Sequence, residues 1–236
     1  MQDRRFKVAI ASVVLAVGTF LASAAFAQVL TFEGLKDREA VANFYNGGLG
    51  GSGSGPGPNF GITFTPNSMA LIELDSGGSG NFHGEPTPTT GLFFLTGAAA
   101  TMNVPGGFTT GFSFFYSAAN SPGVINVWSG PNATGTLLAT LNLPTTGNGG
   151  SSAACDLRNF CPFKSIGVPF SGTAQSVDFG GTENQIVFDN ITVGSVTAGG
   201  SMSTVVPTLS NWGFLILVTL LAIAGVVVMR RRQSRG

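Results

Sequence analysis

Hydrophobic and polar residues divide this chain into an apolar segment near each end and a long middle region of short apolar runs. The middle runs are rich in Val, Ile, Thr and Phe, and Gly, Pro and Asn separate them, which is typical of β-strands joined by turns. In the run 112–116, Phe112, Phe114 and Tyr116 alternate with other residues and share one face of the predicted strand. Strands are predicted at 28–33, 61–65, 69–74, 91–96, 99–104, 108–117, 123–128, 136–142, 166–170, 175–179 and 185–193.

Many short strands with turns between them predict an all-β domain over residues 28–194, an antiparallel jelly-roll-like β-sandwich. Between the two termini no window has the 3.6-residue periodicity of a helix, apart from one possible helical turn in 38–45. Residues 195–205 consist mainly of Ser, Gly, Thr and Val, and this composition predicts a flexible linker.

The N-terminal apolar segment has the order of parts of a secretory signal peptide. Basic residues within 4–7 precede an apolar run at 8–21, and two small residues stand at positions 25 and 27. The sequence therefore predicts a signal peptide over residues 1–27, cleaved between Ala27 and Gln28. Export makes residues 28–194 an extracytoplasmic domain.

The C-terminal apolar segment is long enough to cross a membrane. Residues 212–229 contain no charge, and a helix of that length spans roughly 27 Å, close to the thickness of a bilayer's hydrocarbon core. Trp212 stands at the headgroup level, and three arginines follow the segment at 230–232 and mark its cytoplasmic end. A transmembrane helix is predicted with the C-terminus in the cytoplasm and everything before Val206 outside.

The residues around this helix form a tripartite signal: a short motif, a Trp-Gly pair with an apolar span, and a basic tail. Its residues are Val206, Pro207, Thr208, Leu209, Ser210, Trp212, Gly213, Arg230, Arg231 and Arg232. This order resembles the IPTL-CTERM protein-sorting domain, a variant of the PEP-CTERM signals read by exosortase-type membrane transpeptidases of Gram-negative bacteria. Val206 stands where the family usually has Ile, and Asn211 stands where an acid is common.

The resemblance implies that residues 206–236 are a sorting domain with an exosortase-type enzyme as partner. The helix is then a temporary anchor in the inner membrane, and the mature protein is at the cell surface or extracellular. Three stretches of the middle region, 80–88, 108–116 and 187–194, resemble the exported domains of many PEP-CTERM-type proteins. Those domains are β-sandwiches of mostly unassigned function, so this second resemblance implies a fold and a location but no reaction.

Charge argues against nucleic acid as a partner. The whole chain has a formal net charge of zero, but four basic and ten acidic residues fall within 28–194, which gives that domain a charge of −6. Binding to nucleic acid requires a basic face. The 35 glycines and the many Thr, Ser and Asn residues are typical of a secreted surface protein.

The sequence offers little for catalysis. His83 is the only histidine, so a two-histidine metal site or a histidine dyad is excluded, and His83 is expected to be structural or solvent-facing. No Gly-x-Ser-x-Gly elbow is present, and a Gly-x-Gly-x-x-Gly match at 48–53 opens no predicted helix, so a mobile surface loop is expected there. Leu143–Gly147 matches a sortase signal but lies before further strands, where a turn is expected. No catalytic or cofactor-binding residue is predicted, and the chain is not expected to be an enzyme.

Two pairs of residues are candidates for structural sites. Cys155 and Cys161 are the only cysteines, and close spacing in an oxidising compartment predicts a disulfide. Glu33 ends the first predicted strand, and Asp189 lies in the last. In sandwich-type carbohydrate-binding modules, acids in comparable places often share a structural calcium ion, which needs six to eight oxygen ligands. That likeness implies calcium at Glu33 and Asp189; two ordinary surface acids are the open alternative.

Three functions remain for the exported domain. The first is a structural or adhesive component of the surface or extracellular matrix that grips exopolysaccharide. The second is a carbohydrate-binding module, which an exposed aromatic strip including Trp128 and Tyr116 would favour. The third is a glycan hydrolase, which two carboxylates facing each other across a cleft would favour. A face with neither feature leaves the structural role.

Overall fold

The computed structural model describes residues 27–199, which contain eleven β-strands and three short 3₁₀ turns. The signal peptide, the sorting domain with its helix, and the linker beyond Gly199 are predictions that lie outside the described residues. No helix between residues 27 and 199 is both long and apolar enough to span a bilayer. The strands are Gln28–Leu30 (β1), Thr63–Phe64 (β2), Ser68–Ile72 (β3), Thr90–Phe94 (β4), Thr101–Phe108 (β5), Gly111–Ala118 (β6), Gly123–Gly130 (β7), Thr134–Leu143 (β8), Lys164–Pro169 (β9), Ala174–Asp178 (β10) and Ile186–Val193 (β11).

The strands form two antiparallel sheets packed as a sandwich, which confirms the predicted all-β fold. The first sheet has the order β3-β4-β11-β6-β9, and β1 pairs with β11 at its side; the second has the order β2-β5-β10-β7-β8. Each of the eleven strands overlaps one predicted from the alternation of apolar residues. The helical turn expected within 38–45 is absent, because this segment folds into successive turns without a helix.

Phenylalanine fills much of the space between the sheets. Phe188 in β11 is fully buried, and its ring lies 5.3 Å from Phe179, 5.4 Å from Phe114 and 6.4 Å from Phe94, measured between centroids. All three contacts are edge-on, an arrangement that the charge distribution of aromatic rings favours. Tyr116 is also buried, and its hydroxyl donates a hydrogen bond to the carbonyl of Pro144 at 3.1 Å.

Strand β11 is buried on both faces because loops cover the outer side of the first sheet. All eight of its residues are buried. The loop between β3 and β4 places Phe82, which is fully buried, against this sheet. The chain after β11 also returns across it, where the Ser113 hydroxyl donates to the carbonyl of Ser195 and the amide of Gly199 donates to Thr192 Oγ1.

The disulfide loop is part of this cover. Cys155 and Cys161 are bonded, as predicted. The loop that they close pairs with the β3–β4 loop, since the amide of Phe160 donates to the Asn81 carbonyl at 3.0 Å and the amide of Asn159 donates to Asn81 Oδ1 at 3.1 Å. The bond therefore fixes a segment that rests on another loop and not on a strand.

Glu39 holds the glycine-rich loop that matches the dinucleotide motif. The carboxylate is 1% exposed and accepts hydrogen bonds from the amides of Lys36, Ser52 and Ser54, at 2.8, 2.7 and 3.1 Å, and from the Ser54 hydroxyl. A Cβ on Gly50 would lie 2.6 Å from Glu39 Oε1, which explains the glycine there. No helix follows this loop, so it lacks the helix N-terminus that a pyrophosphate needs.

We predict that Glu39 makes the domain sensitive to acid. Burial alone would raise the pKa of Glu39, but the Ser54 hydroxyl and the three amides outweigh it and lower the pKa to about 2. The folded pKa is below the unfolded value of 4.5, so the stabilisation is complete above pH 4.5 and is lost as the pH falls towards 2. The difference amounts to at most about 3 kcal/mol.

Urea unfolding of Glu39→Gln and wild type at neutral pH and near pH 3 measures this effect. The variant should be less stable than wild type at neutral pH, and the difference between their free energies of unfolding should be smaller near pH 3. Glu183→Gln, at an exposed acid, is the matched control and should follow wild type at both pH values. An equal difference in the free energy of unfolding at both pH values would contradict the prediction that ionisation of Glu39 stabilises the domain.

We predict that replacing both cysteines lowers the free energy of unfolding by about 2 kcal/mol, because the closed loop is short and its restriction of the unfolded chain is small. Urea unfolding of Cys155→Ser/Cys161→Ser and of reduced wild type measures this loss, and the two proteins should have the same free energy of unfolding. Native, unreduced protein should not react with thiol reagents. Labelling of both cysteines in that material would rule out the bond.

Candidate functional site

The first and last strands of the sandwich are neighbours, as the calcium hypothesis requires. In the antiparallel β1–β11 pair, Gln28 lies opposite Val193 and Leu30 lies opposite Ile191. The prediction that Glu33 ends the first strand is wrong, because β1 ends at Leu30 and Glu33 lies in the turn at 33–34; Asp189 lies within β11, as predicted. The chain's two predicted site acids therefore lie in the same region of the first sheet.

A single segment, residues 87–90, binds both acids. Asp189 is fully buried and accepts hydrogen bonds from the Thr87 amide at 2.9 Å, from the Thr87 hydroxyl at 2.7–2.8 Å and from the Asn190 amide at 2.6 Å. Glu33 accepts hydrogen bonds from the amides of Thr89 and Thr90 at 3.1 and 2.9 Å, and from both hydroxyls at 3.2 and 3.3 Å. The acids are therefore not ordinary solvated side chains.

A third acid, Glu85, lies near enough to Glu33 and Asp189 for their charges to act on it, and it was not predicted from the sequence. Both of its carboxylate oxygens are shielded from solvent, and neither has a hydrogen-bond partner. Burial raises the pKa of Glu85 to about 7; the backbone amide of Glu85 itself opposes the rise, and the negative charges of Glu73, Asp189 and Glu33 add to it. No pattern in the sequence marks Glu85, because it stands in a Pro- and Thr-rich loop whose path only the fold determines.

The cluster of Glu33, Glu85 and Asp189 lacks a positive partner. Burial raises the pKa of Asp189 to about 7; the hydrogen bonds from Thr87 and Asn190 oppose the rise, and the charge of Glu33 adds to it. Within residues 27–199 no lysine or arginine forms a salt bridge with any of the three. Carboxylate oxygens are the ligands that Ca²⁺ prefers. Among the described residues, however, only Glu73, Asp75 and His83 bring one ligand atom each within 4.8 Å of the others, and these three carboxylates do not.

A second group of possible metal ligands lies in the same loop. One ligand atom each from Glu73, Asp75 and His83 lies within 4.8 Å of the others. His83 Nδ1 is 3.5 Å from Glu73 Oε2, and the imidazole side chain is 39% exposed. Arg158 in the disulfide loop pairs with Asp75 at 2.5 Å and lies 3.7 Å from Asp156. His83 is therefore partly exposed, and its imidazole lies next to the carboxylate of Glu73.

A shallow groove of about 90 Å³ lies on the outer face of the first sheet. Its floor is apolar, and two phenylalanines and two asparagines stand around it. The lining residues are Leu71, Asn81, Phe93, Phe160, Asn184, Ile186 and Val187. The groove is thus bordered by the disulfide loop, which contributes Phe160.

The described surface has no aromatic strip. Tyr116 is 2% exposed and belongs to the core. Trp128 faces outward in the second sheet between Ser176 and Leu137, but it is partly buried. Among the described residues, the large hydrophobic side chains that are exposed are all Leu or Val. The feature that would favour a carbohydrate-binding module with stacked sugars is therefore missing here.

The two predicted acids share one neighbouring segment of the chain. Glu33 and Asp189 both accept hydrogen bonds from residues 87–90. His83 lies beside Glu73, and its Nδ1 has no hydrogen-bond partner. The prediction that the chain is not an enzyme stays a prediction.

Comparison with solved structures finds carbohydrate-binding modules at low similarity. One is a family 6 module, 23% identical, over 48% of this chain and 79% of its own, with a TM-score of 0.32. Another is a module from Cellvibrio mixtus lichenase 5A in complex with cellotriose, 13% identical, over 56% and 88%, with a TM-score of 0.30. A family 11 module from Clostridium thermocellum in complex with a mixed-linked tetrasaccharide is 14% identical, over 75% and 99%, with a TM-score of 0.31. At these scores the fold assignment rests on the strand order described above.

Sequence comparison identifies the C-terminus. No curated protein matches the chain. The model of the IPTL-CTERM motif matches residues 204–233, which include the predicted motif, span and arginines. This confirms the resemblance predicted from the tripartite order of these residues. The chain has an IPTL-CTERM motif at its C-terminus, and such a sorting motif implies an exported, surface-associated protein.

Proposed function

We propose that the chain is a structural component of the cell surface or extracellular matrix, released from an inner-membrane intermediate by an exosortase-type enzyme. The observation that carries this proposal is the IPTL-CTERM motif at residues 204–233, which follows the two-sheet sandwich in the sequence. The strand order supports a jelly roll, since β4-β11-β6-β9 in one sheet interleave with β5-β10-β7-β8 in the other. Such a module serves as a rigid, negatively charged unit.

The order of the tail predicts proteolytic sorting. Mass spectrometry of the surface-exposed form should find a C-terminus upstream of about residue 212, because the enzyme removes the anchor at the motif. Pro207→Ala/Thr208→Ala, which alters the motif and keeps the span, should leave the protein in the inner membrane. Recovery of the intact Arg230–Arg232 tail from the surface form would contradict the predicted removal of the anchor.

We also propose that Glu33, Asp189 and Glu85 hold one structural calcium ion. The two predicted acids each accept hydrogen bonds from the 87–90 segment, while the oxygens of Glu85 have no partner. Three buried or half-buried carboxylates repel one another unless a proton or cation intervenes. A calcium ion would supply that charge, and backbone carbonyls and water would complete its six to eight ligands.

We predict that calcium raises the melting temperature and that a chelator lowers it. An ion that binds only the folded state stabilises it by about 2.7 kcal/mol at a hundredfold excess over Kd. Glu33→Gln or Asp189→Asn should remove most of the difference between the calcium and chelator curves. Glu183→Gln, at an exposed acid, should retain it.

Glu85→Gln gives a sharper result because its two effects have opposite signs. In chelator the variant should melt higher than wild type, since it no longer buries a carboxylate without a partner. Calcium should raise the melting temperature of this variant only slightly, since the variant lacks one carboxylate ligand. Identical melting curves with and without calcium, on wild type shown to be metal-free, would reduce the three residues to ordinary acids.

Glycan binding is a second candidate function, and the groove on the first sheet favours it. Phe93 and Phe160 can contact the apolar face of a sugar ring, and the amides of Asn81 and Asn184 can bind its hydroxyls. Exopolysaccharide is the ligand that suits a surface protein.

A glycan screen of the purified protein should then retain one class of polysaccharide, and Phe160→Ala or Asn184→Asp should abolish the retention. Trp128→Phe, in the other sheet, is the control and should not change it. Retention that is lost on Trp128→Phe and kept in both groove variants would contradict this site.

A further inference from the structure

We propose that Glu73, Asp75 and His83 bind a divalent transition-metal ion, at a site separate from the proposed calcium site. The inference does not depend on the calcium proposal, because none of these three residues is among the proposed calcium ligands. It rests on the geometry of one loop and on an imidazole nitrogen that has no hydrogen-bond partner.

The loop after β3 brings the three side chains together. Glu73 follows β3, a 3₁₀ turn at Leu74–Ser76 contains Asp75, and the chain then returns so that Glu73 and Gly80 form a bridge. The return is tight, since a Cβ on Gly80 would lie 2.2 Å from the ring of Phe82. His83 thereby lies next to the acids that precede it by eight and ten residues.

The spacing and type of the ligand atoms suit a small divalent ion. The three atoms lie within 4.8 Å of one another. Ligands at the zinc distances of about 2.0–2.2 Å are at most ~4.4 Å apart, so small side-chain rotations would close the site. An imidazole nitrogen with two carboxylate oxygens suits Zn²⁺ or Mn²⁺ better than calcium, which prefers oxygen alone.

An atom without a partner points to a missing ligand. His83 Nδ1 is shielded from solvent and has no hydrogen-bond partner, although Glu73 Oε2 is 3.5 Å away. Buried polar atoms normally have partners, so an imidazole nitrogen without one, beside two carboxylates, points to a ligand that binds there.

Neighbouring groups fix two of the ligands. The Ser76 hydroxyl donates to Glu73 Oε1 at 3.0 Å, which leaves Oε2 on the side of the imidazole. Arg158 binds Oδ1 of Asp75, which leaves the other oxygen for an ion. The guanidinium also places a positive charge close to the site, and this charge opposes cation binding.

Zinc titration of the untagged full-length protein by calorimetry tests the proposal, with calcium present to fill the other site. One zinc ion should bind, and His83→Ala or Glu73→Gln should weaken binding at least tenfold. Glu183→Gln, at an exposed acid outside both sites, is the control and should leave zinc binding unchanged. Absence of saturable zinc binding, or equal binding by His83→Ala, would overturn the site.

Two further measurements separate a metal site from a simple imidazole–carboxylate pair. His83 is the only histidine in the chain, so its ring signals in an NMR spectrum are unambiguous. Zinc should shift these signals and Mn²⁺ should broaden them, whereas a pair without a metal would respond to neither, which would refute the proposal. Arg158→Gln should tighten zinc binding several-fold, because it removes the opposing charge, and weaker binding would contradict the assigned geometry.

Discussion

The burial of Asp189 in the middle of the last strand is the constraint on which the first sheet depends. Strand β11 pairs with β1, β4 and β6, and loops cover its outer face. The carboxylate of Asp189 is therefore fully buried. A carboxylate removed from water is unfavourable by several kcal/mol unless other groups bind it. Thr87 supplies those bonds, and this fixes the path of the long β3–β4 loop across the sheet.

The same constraint explains why the acids of this domain are concentrated. The loop that Thr87 anchors also contains Glu73, Asp75 and Glu85, and its end binds Glu33. Negative charges are therefore concentrated in the β3–β4 loop, while Arg158 from the disulfide loop is paired with Asp75. Cations are the natural complement of such a surface, whether they are calcium, a transition metal or both.

Much of the fold could be predicted because strand alternation is a local property of the sequence. Phe112, Phe114 and Tyr116 alternate along β6, and all three are buried in the core. The two cysteines were equally clear, since no other partner exists for either. The sorting motif was visible because its parts are consecutive in the chain.

The site was only partly predictable because its contacts join distant segments. Glu33 and Asp189 were identified from their positions in the first and last predicted strands, but Thr87 lies 102 residues from Asp189, and nothing local connects the two. Glu85 and Glu39 have opposite environments: the Glu85 side chain has no partner, whereas Glu39 accepts hydrogen bonds from four donors, and nothing adjacent in the sequence indicates this difference. His83 was expected to be structural or solvent-facing, since the sequence does not place an acid beside it.

The central claim is that one cation joins the carboxylates of Glu33, Glu85 and Asp189 where the first and last strands meet. The most direct measurement is a crystal structure of the protein grown with terbium, an anomalous scatterer that replaces calcium. The account predicts a single strong anomalous peak within bonding distance of all three carboxylates. A map with no peak there, with the Thr87 bonds to Asp189 unchanged and Glu85 turned out to solvent, would contradict it.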